Sequence, residues 1–510
     1  MHSVVIISII DFVIIKGYEE IFNSFPDFFK AKIDEHTLVF YQESKCLSQF
    51  SFKYGERTFE IKCDNSFYPL FCYKSEKYEI LTPNYENLFK LNLPLSVNDK
   101  SIREFILFNT SLQNHTFHHE VERLTGIERI VFENSELTFY FQSKRFPQKI
   151  LKDRFIEKID VLTSVFKECF HGVFLSGGNE SRINAAIAQA YRLKKEFITW
   201  GHPQDKEYLI AERIANCLKT KLQNIRLDAC QLPYQEIMQK SGYLVNMQYA
   251  YRYAAVKYLF DDFGYEVVWT GWGDINGYPV RYQPSELFSA YYLGLYNGEE
   301  KYPSGWNREW LEEYNRNGNG IRERIQADPG AHTFFDLKTE IFAPAIFGAV
   351  LGIENTLGTV LTPWFSPELY AAVRYEEKQN PKLITHKIWR IKWKNELYFQ
   401  LLKKYCPELN YIRNAKGYYP WMTQAKLGFP GLFTASIMKK WYSFKTYPFE
   451  PTEDRLFIKN ELLRILDSKL EIFNKQQIEM IINHFDSWQG PDIHENFKLI
   501  QIHWFLTKHQ

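Results

Sequence analysis

Two hydrophobic rhythms divide the chain near residue 148. Before it, short β-branched or aromatic runs recur between polar breaks, at 4–10, 12–15, 37–41, 59–62, 67–73, 130–132 and 137–141. That pattern predicts strands, with one helical piece over 99–109 among them. A charged stretch with one proline, KRFPQKILKD, marks the boundary. Beyond it strand-like runs at 173–175, 196–201, 223–227 and 265–270 alternate with helical ones, among them 206–218, where Ile210, Ile214 and Leu218 align. A long helical region precedes residue 260, and from 285 onward the pattern reads as helical to the end. Alternation of this kind implies a parallel sheet with helices on both faces. Ligands bind such sheets outside the carboxyl ends of the strands, where Ser176, Gly201 and Gly271 fall.

One stretch organises the rest. The apolar run Val173, Phe174, Leu175 breaks into Ser176-Gly177-Gly178-Asn179-Glu180-Ser181, and Ile183, Ala186, Ile187 and Ala190 then follow at the spacing of one helix face. Strand, glycine turn and helix together offer backbone N–H groups and a positive helix end to an anion. Two glycines allow positive φ and a close approach of phosphate to the backbone, and the two serines add hydroxyl donors. The plainer alternative is an ordinary glycine turn before a helix.

Composition narrows the classes. With 510 residues, 45% hydrophobic and 24% charged, the chain is globular, of two to four domain-sized units. A formal net charge of +1 gives no support to a nucleic-acid or anionic-membrane partner. The seven cysteines form no CxxC pair and read as reduced, cytoplasmic thiols. The apolar run at 4–15 contains Asp11 and lacks a basic leader, so it predicts a buried strand pair rather than a signal sequence. No run reaches transmembrane length.

Several clusters invite chemistry. His115, His118 and His119 lie near Glu120 and Glu122, but their spacing matches no zinc signature and predicts a partly exposed edge or turn. Gly271-Trp272-Gly273-Asp274-Ile275-Asn276-Gly277 is GxGxxxG, not the GxGxxG of a dinucleotide site. His202 reads as a loop histidine, a ligand contact being the other reading, and the helix dipole alone accounts for Glu207 in a first turn. Lys387, Arg390, Lys392 and Lys394 read as a solvated helix face, with an attraction surface for ATP as the other reading, and Pro363 reads as a buried structural turn.

The Ser-Gly-Gly-x-acid-Ser turn resembles the pyrophosphate loop of ATP pyrophosphatases, most of all the synthetase domain of the asparagine synthetase family, which includes β-lactam synthetases and lasso-peptide cyclases. Glu180 stands where that family has Asp, its carboxylate about 1.5 Å further out. Other segments follow in the family's order. Thr199-Trp200-Gly201 resembles the second strand's exit, where the backbone meets adenine. Gly271-Trp272-Gly273-Asp274 with Tyr278 resembles a shortened Gly-x-Gly-x-Asp segment, and Glu354 lies where the family has Val-Glu-Ala-Arg. The 362–369 stretch (TPWFSPEL) resembles Val-Pro-Phe-Leu-Asp, and 413–420 (RNAKGYYP) the Arg-x-Lys loop. In the first part, DNSFYPLFCY and the Leu124-Thr125-Gly126 phrase resemble the family's glutaminase domain. Its nucleophilic cysteine would fall at position 2, where His2 stands, and histidine forms no thioester.

The resemblance implies an α/β protein in two parts. Residues 1–148 would form a mostly-β, Ntn-like sandwich, a degenerate glutaminase domain. Residues 149–510 would form a doubly wound parallel-sheet ATP pyrophosphatase domain with a helical carboxyl-terminal extension. It implies an ATP- and Mg²⁺-dependent ligase that adenylates a carboxylate, releases pyrophosphate and passes the acyl group to an amine or ammonia without hydrolysing glutamine. Leu175, Ser176, Gly177, Gly178, Asn179, Glu180, Ser181, Thr199, Trp200, Gly201, Gly271 and Gly273 would bind ATP. Glu180 and Asp274 would hold magnesium, and Lys416, Glu354 and Tyr278 would serve the chemistry. The partners implied are a small-molecule or peptide carboxylate and an amine, with a homodimer or a protein of the same biosynthetic pathway as further candidates. A non-catalytic relative that binds a nucleotide or a partner protein is the alternative.

Overall fold

The computed structural model describes residues 2–8, 12–17, 39–41, 50–54, 58–63, 68–75, 78–108, 110–111, 114–133, 136–141, 150–201, 203–225, 232–273, 305–306, 309, 347–380, 382, 387–424, 427–441, 452–485 and 490–509. His202, Asp274 and Tyr278 therefore lie outside the described residues, as does the 142–149 boundary.

Among the described residues the first part has ten strands: β1 (His2–Ser8), β2 (Phe12–Gly17), β3 (Val39–Tyr41), β4 (Phe50–Tyr54), β5 (Thr58–Cys63), β6 (Leu70–Lys74), β7 (Tyr78–Thr82), β8 (Val121–Leu124), β9 (Ile127–Glu133) and β10 (Glu136–Phe141). Two short helices, α1 (Glu86–Lys90) and α2 (Asp99–Phe108), lie between β7 and β8. The strands form a six-stranded sheet, β3-β1-β2-β7-β6-β8, and a four-stranded one, β10-β9-β5-β4. The run at 4–15 is the antiparallel β1–β2 pair. Gly126, at φ +80°, turns the chain from one sheet to the other, a conformation that suits glycine. Strands β4, β7 and β8 escape the sequence pattern because charged residues interrupt them (FSFKY, YEILT, VERL). Pairing to neighbours makes them strands.

The second part continues with α3 (Leu151–Val165), β11 (Phe170–Phe174), α4 (Asn179–Ala190), β12 (Lys194–Trp200), α5 (Lys206–Cys217), β13 (Leu222–Ile225), α6 (Tyr234–Ser241), α7 (Ala250–Asp261), β14 (Val267–Trp269), α8 (Ala349–Asn355) and β15 (Thr359–Leu361). Five parallel strands run in the order β13-β12-β11-β14-β15. Their side chains alternate between two cores. Val173, Phe197, Val267 and Leu361 pack with α4 and α5 residues such as Ile183 and Ile210, whereas Phe174, Ile198, Val268 and Val360 meet Val256 and Leu259 of α7. The fifth strand corrects the helical reading after 285: only three residues long, it shows no periodicity and is recruited by pairing to β14. The long helical region before 260 is two helices, α6 and α7. Gly242 ends α6 at φ +60° with no room for a side chain, since a Cβ would lie 2.4 Å from the Tyr85 ring.

The remaining helices, α9 (Pro367–Gln379), α10 (Lys387–Tyr405), α11 (Gly428–Trp441), α12 (Thr452–Asp467), α13 (Lys475–His484) and α14 (Gly490–His509), make the carboxyl-terminal region helical. They are not an appendage. Phe71, Ile80, Phe105 and Phe117 of the first part share one core with Met238, Leu462 and Phe505. Among the described residues no helix is long and apolar enough to cross a membrane, and Cys72, Cys169, Cys217 and Cys406 are free thiols.

The histidine cluster lies in a partly exposed turn and bridge, as its sequence predicts, but one of its members is buried. His118 is fully buried, its Nδ1 2.6 Å from the Tyr85 hydroxyl and its ring set between Phe505 and His509. His119 is exposed, and His115 meets Glu104. Burial, helped by His509, holds His118 down to about 3. An unfolded histidine takes its proton near pH 6.5, so the folded state loses stability as pH falls from there toward 3, by about 1.4 kcal/mol per unit. His118→Gln removes that term. In urea titrations its stability below about pH 6 should fall by about 1.4 kcal/mol less per pH unit than the native chain's; equal slopes would remove His118 as the cause.

Candidate functional site

In the order β13-β12-β11-β14-β15, chain direction across the sheet reverses between β11 and β14. That reversal is the point where open parallel sheets bind ligands, and the Ser-Gly-Gly turn lies there. Leu175 prolongs β11, its N–H donating to the Ile198 carbonyl at 2.7 Å. The Ser176 N–H donates to Ser181 Oγ at 3.1 Å, the two hydroxyls lie 3.0 Å apart, and the Gly178 N–H donates to Ser176 Oγ at 3.1 Å. The two serines thus brace the turn. Neither glycine uses a left-handed φ: Gly178 is the extended N-cap of α4, at φ −72° and ψ 168°. Gly177 is required for another reason. A Cβ there would lie 2.7 Å from Ala415 Cβ.

That approach belongs to a second segment. The Ala415 N–H donates to the Gly177 carbonyl at 2.9 Å, and Asn414 folds its own loop by accepting from the Lys416 and Tyr418 N–H groups. Lys416 is exposed at the tip of this loop. From the other side Arg182 of α4, fully buried, donates to the carbonyls of Leu409, Ile412 and Arg413. Burial lowers its guanidinium to about 10, still charged at neutral pH.

The exits of β14 and β15 close the third side. A Cβ on Gly271 would lie 2.7 Å from the Ser181 nitrogen, and Gly273, at φ +134°, lies against the Trp364 carbonyl. The Trp364 indole N–H reaches the Glu180 carbonyl at 3.2 Å and Asn184 Oδ1 at 3.1 Å, while Asn184 Nδ2 donates to the Thr270 carbonyl at 3.0 Å. Below, Arg252 donates to Thr270 Oγ1 at 3.0 Å and to Glu354 Oε2 at 2.8 Å, its guanidinium 4.3 Å from the Trp272 ring centre. Glu354 is fully buried; burial raises its carboxyl and Arg252 opposes the rise. It faces Arg252 rather than the turn. Pro363 is buried at the β15 exit, as its structural reading requires.

The β12 exit adjoins this centre. Thr199 is buried, Trp200 is half exposed against Phe174, and the Gly201 carbonyl accepts from Asn224 Nδ2 at 3.2 Å. Glu207 does more than complement a helix dipole. Burial raises its carboxyl, and hydrogen bonds from the Gly177 N–H and Ser176 partly offset that.

Helix α10 carries Tyr398, which sequence reading missed, and gives Lys394 a partner that it did not foresee. Lys394 is 3.2 Å from Glu180 Oε1, and the Tyr398 hydroxyl donates to the same oxygen. The lysine is therefore no solvated face. Its spacing of four from Tyr398, which places both on one side of a helix, was the available signal. This arrangement tests the fit of magnesium. A divalent ion on Glu180 about 5 Å from the ammonium would be repelled by about 7 kcal/mol at an effective dielectric of about 20. Among the described residues no three acids, histidines or cysteines gather as a metal site. Asp274, the second carboxylate of that expectation, lies outside the described residues, and Glu180 is engaged here by Lys394 and Tyr398.

Fold and site together define a mixed α/β protein with a braced glycine turn at the switch point of a five-stranded parallel sheet. No protein-family model matches the chain, and no curated protein is significantly similar to it.

Proposed function

We propose that the chain is an ATP-dependent amide-bond-forming ligase: a doubly wound ATP pyrophosphatase-type unit preceded by a degenerate glutaminase-like β unit. One observation carries the reading. The Ser-Gly-Gly turn lies at the sheet's switch point, with the 270–273, 362–366 and 413–418 segments gathered around it. In this reading the turn and the positive end of α4 receive the polyphosphate, and the β12 exit takes the base. A substrate carboxylate attacks the α-phosphate, pyrophosphate leaves, and an amine or ammonia captures the acyl group. Lys416, beside the turn on a loop held by Gly177 and Arg182, stabilises the negative charge that develops. Glu354 positions the β14 exit through Arg252 and Thr270. The engagement of Glu180 with Lys394 favours a second reading, a non-catalytic relative that binds a nucleotide or a partner protein.

Incubation with ATP and pooled carboxylates and amines should release pyrophosphate and AMP in equal amounts. Gly177→Val, which drives a side chain into Ala415, should abolish the release. ADP and phosphate as products would overturn the adenylating chemistry; ATP binding without turnover would select the second reading.

A further inference from the structure

The glycine turn already holds an anion, and the chain supplies it. Three N–H groups lead into α4, and two of them give to the turn's own hydroxyls: Ser176 to Ser181 Oγ, and Gly178 to Ser176 Oγ. The third, on Gly177, donates to the carboxylate of Glu207, which also accepts from the Ser176 hydroxyl. With the Ser176 proton given to Glu207, it is the Ser181 proton that closes the 3.0 Å contact between the two hydroxyls. Glu207 comes from a different element, the first turn of α5 behind its N-cap Asp205. Ile210, one turn further on, seals the contact: a Cβ on Gly177 would lie 3.2 Å from its Cδ1. The serines brace the turn without any charge. A carboxylate drawn into the same place carries a desolvation cost that a neutral acceptor would not. Its presence marks these donors as a set that receives an anion.

From this geometry we infer that Glu207 is a gate on the turn: a polyphosphate binds only by displacing its carboxylate from the Gly177 N–H and the Ser176 hydroxyl. The inference rests on the nucleotide reading above and adds a regulation of that same site. One N–H proton does not serve two anionic acceptors at full strength. A phosphate that takes it leaves Glu207 beside it without those donors, like charge against like charge. The exchange is even in hydrogen bonds, because each anion accepts the same two, and unfavourable in charge. Glu207 thereby holds affinity for a polyphosphate below what the turn alone would give.

The test titrates ATP, with magnesium in excess, into the full chain and two variants. Glu207→Gln keeps an oxygen that accepts from Gly177 and Ser176 and removes the charge. It should bind ATP about tenfold or more tightly than the native chain, about 1.4 kcal/mol. Glu207→Ala, which leaves both donors open, should bind more tightly as well; if it fails to fold, Glu207→Gln decides alone. A group that merely ties α5 to the turn gives no such gain when its charge is removed. Binding by Glu207→Gln that is unchanged or weaker, with ATP still bound by the native chain, overturns the inference and leaves the nucleotide reading intact. No ATP binding by any of the three proteins overturns the nucleotide reading and the inference with it.

Discussion

Exchanging Arg182 for methionine should cost about 3–5 kcal/mol of stability and weaken any ligand binding at the glycine turn. The methionine fills much of the volume and removes the cost of a buried charge. It also strips the donor from the carbonyls of Ile412 and Arg413 and one of two donors from Leu409, whose carbonyl keeps the Ile412 N–H at 3.3 Å, and a buried carbonyl left without a partner costs about 1–3 kcal/mol. Two such losses, with the weakening at Leu409, outweigh the relief. The effect on binding follows from position, because these carbonyls lead directly into the loop whose Ala415 N–H bonds Gly177. Urea unfolding of the variant checks the first part and ligand titration the second. A loss below about 1 kcal/mol would mean that water or a shifted backbone takes over the carbonyls of Ile412 and Arg413.

Breaking the Arg252–Glu354 pair should be as severe. Both oxygens of Glu354 face the guanidinium, at 2.5 and 2.8 Å, with the carboxylate fully buried. Glu354→Gln strands a mostly buried cation and Arg252→Met strands a buried anion, each at about 3–5 kcal/mol. The double variant Arg252→Met with Glu354→Leu should lose less than either single change, because removing both charges also removes the desolvation that each needs the other to offset. Stabilities of the four proteins in one cycle decide it. Additive losses would show that the two side chains act separately. The pair also tests the role given to Glu354. The double variant should retain part of any ligase activity if the glutamate only positions Thr270, and none if it touches a reactant.

How much of this was legible in the chain differs from element to element. The switch from strand rhythm to strand–helix alternation is written in side-chain periodicity, and so are β11, the turn and α4. Each is short-range: an apolar run that alternates between two cores, a glycine pair, and Ile183, Ala186 and Ile187 on one buried face. The sequence thereby determined a parallel sheet, and with it the glycine turn at a strand's carboxyl end. The strand order could not be read, because nothing local says that β14 returns beside β11 instead of β13, and that return creates the switch point.

The tertiary structure alone decided the site's charges and its walls. A three-residue strand such as β15 has no period of its own and exists through pairing. Lys394 looked like one more cation on a basic helix until α10 came to lie against α4, bringing an ammonium from position 394 to a carboxylate at position 180. Gly177 looked like a residue wanted for its φ, but it is there because Ala415 approaches within the reach of a Cβ. The histidine turn is partly exposed as expected, but that His118 is the buried member is decided by α14. These outcomes share one physical reason. Periodicity reports which face of a segment leaves water, whereas the partner that meets that face, and the charge that the partner brings, depend on contacts between residues far apart in the chain.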